Sequence, residues 1–306
     1  MDNFNLIGLY EKALPAFFTW DERLAYTKYA GFDFLEMSID ETDERLSRIY
    51  SSGQEIEEIR EAITKSGMPI LTMCLSGNRR FPIGSKDKEI REKGIELIKG
   101  AVLLAVEVGI RIIQLAGYDE YYNESDQITQ DLFYDSLKEC VDFTSRYSVM
   151  LAIETMDTDL MGSISNIMKY IRRINSPWLN IYPDIGNLSS RKVSIKEDFF
   201  EGREHIVAIH LKDTRENEFR RVGFGEGVVD FRSFFKLLTE INYKGPFVVE
   251  MWSDDDLTYV AEVKKAREFL LAELNESRSE QKDKVEQKDK VEQKHKVMES
   301  NRFQQE

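Results

Sequence analysis

The chain is predicted to fold as an α/β protein, a (β/α)8 barrel of the TIM type followed by a low-complexity tail. Short, almost wholly apolar segments alternate eight times with amphipathic helical stretches. Strands that are apolar on both faces belong to parallel sheets covered by helices. The eight units occupy about 250 residues, the usual size of such a barrel. A doubly wound open sheet would announce itself with a glycine-rich turn after the first strand, and Gly8-Leu9-Tyr10-Glu11 offers none.

The first strand is predicted at Leu6–Leu9, with a helix over Trp20–Ala30. Phe34–Met37 follows, then a helix ending near Gly67. Ile70–Leu75 precedes a long helix over Lys88–Val108. Arg111–Leu115 leads to a helix on which Ile128, Leu132, Leu137 and Val141 roughly keep helical spacing. Val149–Ile153 pairs with a helix over Ser163–Ile174, and Leu179–Tyr182 with one over Ile195–Glu201. After Ile206–Leu211, the helix Phe231–Ile241 gathers Phe231, Phe234, Phe235, Leu238 and Ile241 on one apolar face. Phe247–Val249 and a final helix over Leu257–Leu274 complete the eight.

Composition changes near Asn275. From Glu280 to Val297 the chain reads EQKDKV, EQKDKV, EQKHKV. Valines every sixth residue (Val285, Val291, Val297) drift around a helix and form no coiled-coil stripe. The expected organisation is therefore a catalytic domain over 1–274 and a solvated, partly helical or disordered tail over 275–306. Acidic and basic residues balance in the tail, so the net charge of -14 falls on the folded body. That argues against a sequence-independent grip on nucleic acid, while a small anionic substrate needs only one local basic site.

Cys74 and Cys140 fit no metal or redox spacing and read as buried free thiols. No apolar stretch approaches the ~20 residues of a membrane helix. The opening MDNFNLIGLYEKALP lacks the basic lead and apolar run of a signal peptide. A cytoplasmic protein without a membrane partner is expected.

Residues able to bind metal or move protons recur at the C-terminal ends of the strands: Glu36, Glu154, Asp184, His210 and Glu250. In a barrel these ends converge on the face that carries active sites. A single strand-end carboxylate is as well explained by an ion pair. Four chelating groups in register on strands five to eight point instead to a divalent cation, because isolated charges after apolar runs are costly to bury. Three carboxylates and one imidazole suit Mn²⁺, Zn²⁺, Co²⁺ or Mg²⁺. Of the other histidines, His205 is placed on a loop and His295 in the tail. Pro183 marks a strand end, where Asp184 turns into the site.

The segments GLYEKALP (8–15), FLEMSIDETDERLSR (34–48), MCLSGNRRFPIGS (73–85), IQLAGYDEYY (113–122), YPDIGNLS (182–189), HLKDT (210–214), FGEGVVDF (224–231) and GPFVVEMW (245–252) closely resemble the L-ribulose-5-phosphate 3-epimerases. That family, also described as L-xylulose-5-phosphate 3-epimerase, belongs to the xylose-isomerase-like TIM barrels. The resemblance runs from about residue 6 to 270. It implies interconversion of L-ribulose 5-phosphate and L-xylulose 5-phosphate, as in L-ascorbate breakdown. It also implies a metal held by Glu154, Asp184, His210 and Glu250, with the two glutamates moving the C3 proton on opposite faces of a cis-enediolate.

Arg221 resembles an arginine that contacts a substrate oxygen in related ketose epimerases, and Glu36 is a candidate for sugar hydroxyls or neighbouring ligands. For phosphate, Arg79 and Arg80 after the third strand are the better candidates and Lys12 a weaker one. Ser253-Asp254-Asp255-Asp256 after the last strand is a poor anion site. Asn78 and Gly223 stand where the family often has histidine and proline; neither change touches the metal quartet, and the first bears on fine substrate preference.

The nearest rival is a hexulose-6-phosphate or related aldose-ketose isomerase on the same scaffold. An apurinic-site endonuclease would want a basic face and more than three histidines. A non-catalytic sugar-phosphate-binding barrel would not need all four ligands. Tyr121 and Tyr122 read as site-lining or interface residues, which leaves a homo-oligomer open.

Overall fold

The computed structural model describes residues 5–191 and 193–303, with the backbone alone from residue 282 onward. Eight parallel strands form one sheet: β1 (Ile7–Tyr10), β2 (Phe34–Ile39), β3 (Ile70–Leu75), β4 (Ile112–Leu115), β5 (Met150–Glu154), β6 (Leu179–Tyr182), β7 (Ile209–Leu211) and, after a hairpin, β10 (Phe247–Val249). Their order is β6-β5-β4-β3-β2-β1-β10-β7. Parallel bridges at Ile181–Ile206 and Asp184–His210 join the two ends, so the sheet closes into the expected barrel.

That seam is irregular for a local reason. Pro183 has no N–H to give to a ladder, although its carbonyl still accepts from His210 N at 2.9 Å. The strand predicted over Ile206–Leu211 is therefore regular only in its last three residues. The hairpin of β8 (Asp213–Arg215) and β9 (Glu218–Val222) is an addition that the eight-unit pattern did not contain.

The chain divides into two compact units, residues up to 229 with 244–267, and residues 230–243 with those from 268. The first holds every strand and the helices α1 (Trp20–Tyr29), α2 (Asp43–Ser47), α3 (Gly53–Ser66), α4 (Lys88–Val108), α5 (Gln127–Thr144), α6 (Ile164–Ile174), α7 (Ile185–Ser189) and α8 (Ile195–Gly202). Their starts carry side-chain caps, such as Ser52 with Glu55 on α3 and Asp87 on α4. Gly67 and Gly109 end α3 and α4 at φ 65° and 88°, a left-handed backbone that glycine adopts without penalty.

The second unit holds α9 (Phe231–Glu240), whose Phe231, Phe234, Phe235 and Leu238 are buried as their spacing predicted. Arg232 pairs there with Glu273 at 3.0 Å and with Glu276. The helix predicted to end at Leu274 runs on as α10 (Val260–Phe303). Leu274 is where apolar periodicity stops, while the Glu, Gln and Lys that follow are good helix formers. The valines and His295 of the repeats lie outside the described side chains.

In a closed barrel, alternate residues of each strand face the interior. Tyr10, Phe34, Cys74, Ala152, Tyr182, Ala208 and Val248 do so and pack into one cluster. A Cβ on Gly8 would stand 2.3 Å from the Phe34 ring, so glycine there makes room for phenylalanine on the next strand. Both cysteines are buried free thiols, as read from the sequence.

Beside the end of β1, the buried Glu11 gathers three arginines. Its carboxylate lies 3.1 Å from Arg23 Nε, 3.0 Å from Arg45 Nη1 and 2.8 Å from Arg48 Nη1, and it accepts from Ser38 N at 2.8 Å. Burial raises its pKa, but Arg48 and Arg45 outweigh that and bring it from 4.5 down to about 2. The depressed value means that this stability is complete above the ordinary carboxylate pKa and is lost as pH falls toward 2; its size is roughly 3 kcal/mol. Glu11→Ala strands three cations and should cost about 3–5 kcal/mol in denaturant unfolding. The acid-side loss of stability between pH 4.5 and 2 should be shallower in the variant than in the wild-type protein.

Candidate metal centre and substrate cavity

The residues that follow the interior apolar layer keep the same parity. Two positions after Ala152, Tyr182, Ala208 and Val248 stand Glu154, Asp184, His210 and Glu250. Each of these four offers an atom within 4.8 Å of the others, and all are buried. The strand order makes β5, β6, β7 and β10 consecutive around the barrel once the seam is closed. Glu154 and Glu250 thus flank Asp184 and His210.

Three of the four ligand candidates, Asp184, Glu154 and His210, are held by neighbouring groups. Asp184 caps α7, its Oδ1 accepting from Asn187 N at 2.8 Å, while its N–H goes to Thr155 Oγ1 at 2.9 Å. Gln114 Nε2 donates to Glu154 Oε2. His210 Nε2 meets Glu36 Oε1 at 2.6 Å, and Glu36 Oε2 accepts from Thr72 Oγ1 and Tyr182 OH, both at 2.7 Å. The other ring nitrogen, Nδ1, lies 3.2 Å from Glu154 Oε1 and 3.8 Å from Glu250 Oε2. An imidazole anchored by a carboxylate through one nitrogen presents the other to a cation.

Charge is concentrated here. Burial, and beyond it the neighbouring Glu250 and Glu154, raise the Asp184 pKa to about 8 against the pull of Lys212. Burial also acts upward on Glu250, but Lys212 and His210 prevail and hold it near 2. Burial disfavours the His210 imidazolium, yet Glu36 and Glu250 raise its pKa well above the usual value. Asp184 Oδ2 and Glu250 Oε2 are buried, with Lys212 Nζ beside them at 2.7 and 3.1 Å. Three carboxylates and an imidazole this close together suit a divalent cation.

Above the quartet a cavity opens, walled by Glu154, Lys212 and Glu250, by Tyr10 and Trp252, and by the cations Lys12, Arg79 and Arg220. Arg79 lies over the rings of Tyr118 and Tyr121 at 5.6 and 5.2 Å, and Lys12 pairs with Asp40. Three candidates for substrate contact stand elsewhere. Glu36 is fully buried beneath His210 and supports the imidazole, with no face on the cavity. Arg80 turns outward to Asp43. Arg221 pairs with Asp254; its φ of 63° and the register shift between β8 and β9 re-aim the strand, so that Arg220 takes the wall, 5.3 Å over the Trp252 ring. Tyr121 lines the cavity, whereas Tyr122 donates to Glu41 outside it.

Lys212 and Gln114 escaped the sequence reading. Both had a signal, since Lys212 follows His210 by two and Gln114 shares the interior parity of β4. Asp213 was also missed. Its carboxylate accepts from the N–H groups of Gly225 and Gly227, each at 2.9 Å, and of Val229 at 3.2 Å, clamping the loop after β9. A Cβ on Gly227 would stand 2.0 Å from Asp213 Oδ1, which explains the second glycine of FGEG.

A family model described as a xylose isomerase-like TIM barrel matches residues 24–273. The L-ribulose-5-phosphate 3-epimerases UlaE of Escherichia coli O157:H7 (strain EC4115 / EHEC) and of Shigella sonnei (strain Ss046) are each 48% identical over 268 residues, spanning 88% of this chain and 94% of theirs. The chain belongs to this epimerase family. Solved structures of an L-ribulose 3-epimerase (18% identity, 91% of this chain and 97% of that one) and of a Methylomonas sp. D-allulose 3-epimerase (17%, 88% and 98%) superpose with a TM-score of 0.73 each, which bears on the fold. The buried Glu36 stands outside the quartet and meets His210 at Nε2. Glu36→Gln should weaken divalent-metal affinity by about 10- to 100-fold in titration calorimetry, with the fold retained by circular dichroism.

Proposed function

We propose that the chain is a metal-dependent 3-epimerase interconverting L-ribulose 5-phosphate and L-xylulose 5-phosphate. Glu154, Asp184, His210 and Glu250 would hold one divalent cation (Mn²⁺, Zn²⁺, Co²⁺ or Mg²⁺). The observation that carries this reading is the placement of Glu154 and Glu250 on either side of Asp184 and His210, both facing the cavity. When bound, the cation supplies positive charge that stabilises an enediolate oxygen.

Inversion at C3 without reorienting the sugar needs one proton carrier on each face of the planar enediolate. One glutamate takes the C3 proton as a carboxylate, and the other delivers a proton to the opposite face; the reverse reaction exchanges their roles. Gln114 holds Glu154 in place by a hydrogen bond, and the charge of Lys212 keeps Glu250 ionised. Arg79, Lys12 and Arg220 are the cavity cations offered to the phosphate, Arg79 with its guanidinium spread on two tyrosine rings. Residues 1–274 carry the catalysis in this reading, and the 275–306 segment takes no part in the chemistry.

The test is a metal-supplemented assay of both L-pentulose 5-phosphates in deuterated solvent. Label should enter at C3; label confined to C1 would favour an aldose-ketose isomerase. Glu154→Gln and Glu250→Gln should each lower kcat by at least about 10²-fold, and stripping the metal with a chelator should abolish turnover. Persistence of turnover after stripping would defeat the proposal.

A further inference from the structure

Lys212 has only a supporting part in the scheme above, yet its housing is elaborate. Its ammonium lies 2.7 Å from Asp184 Oδ2 and 3.1 Å from Glu250 Oε2. The side chain is 8% exposed and faces the cavity. A Cβ on Gly186, in the first turn of α7, would stand 2.5 Å from Lys212 Cγ and 2.9 Å from its carbonyl. Glycine there keeps a channel open for the lysine stem. On the cavity side the ammonium lies 5.8 Å from the centre of the Trp252 ring.

Neutralising two carboxylates would not require a cation at the cavity wall. An ammonium has three donors; two carboxylate oxygens flank this one, which leaves a donor for the cavity. The position is also next to the reacting centre, because Glu250 is one of the two proposed proton carriers.

We propose that Lys212 is a further catalytic residue, its ammonium donating a hydrogen bond to the substrate oxygen that gains negative charge as the C3 proton leaves. The inference rests on the epimerase reading and adds a second electrophile to it. The C3–H bond breaks and its proton passes to a glutamate carboxylate. The electron pair forms the C2–C3 double bond, and the carbonyl pair moves onto oxygen, opposite the ammonium. Protonation on the other face returns the electrons to the carbonyl, so nothing is oxidised or reduced. A preorganised donor aimed at such an oxygen contributes about 10²–10³ in rate.

The experiment compares full-length wild type with Lys212→Met and with Lys212→Cys before and after alkylation by bromoethylamine, which restores an ammonium of nearly the same reach. Metal content, Tm, kcat, KM and solvent exchange of the C3 hydrogen are measured for each at saturating Mn²⁺. Lys212→Met is expected to bind the metal, to keep KM within about threefold and to lose about 100-fold or more in kcat and in C3 exchange. Alkylation of the Lys212→Cys variant should recover at least about tenfold of the lost kcat. Should Lys212→Met bind metal poorly or fold poorly, this recovery decides alone, and its absence overturns the proposal. Lys212→Met turnover within about threefold of wild type, or a loss cured by more metal alone, would reduce Lys212 to a counter-ion. A wild-type protein that epimerises neither sugar would defeat the parent reading instead.

Discussion

Closure of a parallel sheet into a barrel forces every second side chain of each strand into a shared interior, and the rest of this structure follows from that alternation. The interior is layered. Phe34, Cys74, Ala152, Tyr182, Ala208 and Val248 fill one level with packed apolar and aromatic groups. One step further along the same faces stand Glu36, Glu154, Asp184, His210 and Glu250, and a further step along the seventh strand stands Lys212. These charged groups are buried against that cluster, in a medium where charges act strongly on one another.

That medium sets a demand which the neighbouring residues share out. Buried carboxylates must be paired, hydrogen-bonded or bound to a cation. Gln114 serves Glu154, the α7 backbone serves Asp184, and Lys212 stands between Asp184 and Glu250. Glu36, tied down by Thr72 and Tyr182, orients His210 by its Nε2 and turns Nδ1 toward the carboxylates. Glu154, Asp184 and His210 are therefore each fixed through one atom, while Lys212 lies against Asp184 Oδ2 and Glu250 Oε2. The same partners position Glu154 and Glu250 in the cavity wall, on either side of Asp184 and His210.

The mouth of the barrel is built by other means. Strand alternation ends there, and buried carboxylates take over as fixed points for loops. Glu11 draws three arginines to the end of β1, beside Tyr10 and Lys12 in the cavity wall. Asp213 gathers backbone N–H groups from the loop that follows Arg220. Both devices let irregular chain hold cations such as Lys12 and Arg220 at the cavity.

Amphipathic and apolar periodicity sufficed to place all eight strands, because burial on both faces leaves a strand no polar positions except at its functional end. The cluster of Glu154, Asp184, His210 and Glu250 was legible for the same reason: a charge after an apolar run is costly to bury unless it is paired or bound. Lys212 was legible in principle, two residues after His210, but a lysine beside a strand end reads as solvated until the packing around Gly186 is known. Arg79 was singled out by its place after the third strand and does line the cavity, but the choice between Arg220 and Arg221 was beyond the sequence. Arg220 and Arg221 are adjacent and alike, and only the left-handed backbone at Arg221 with the register shift of its hairpin decides which one turns inward. Glu36 likewise read as a contact of either sugar hydroxyls or neighbouring ligands, and closure of the barrel decided for the ligand by setting it under the imidazole. Periodicity reports which residues leave water; which partner they meet depends on contacts between distant strands and loops, and tertiary structure alone makes those.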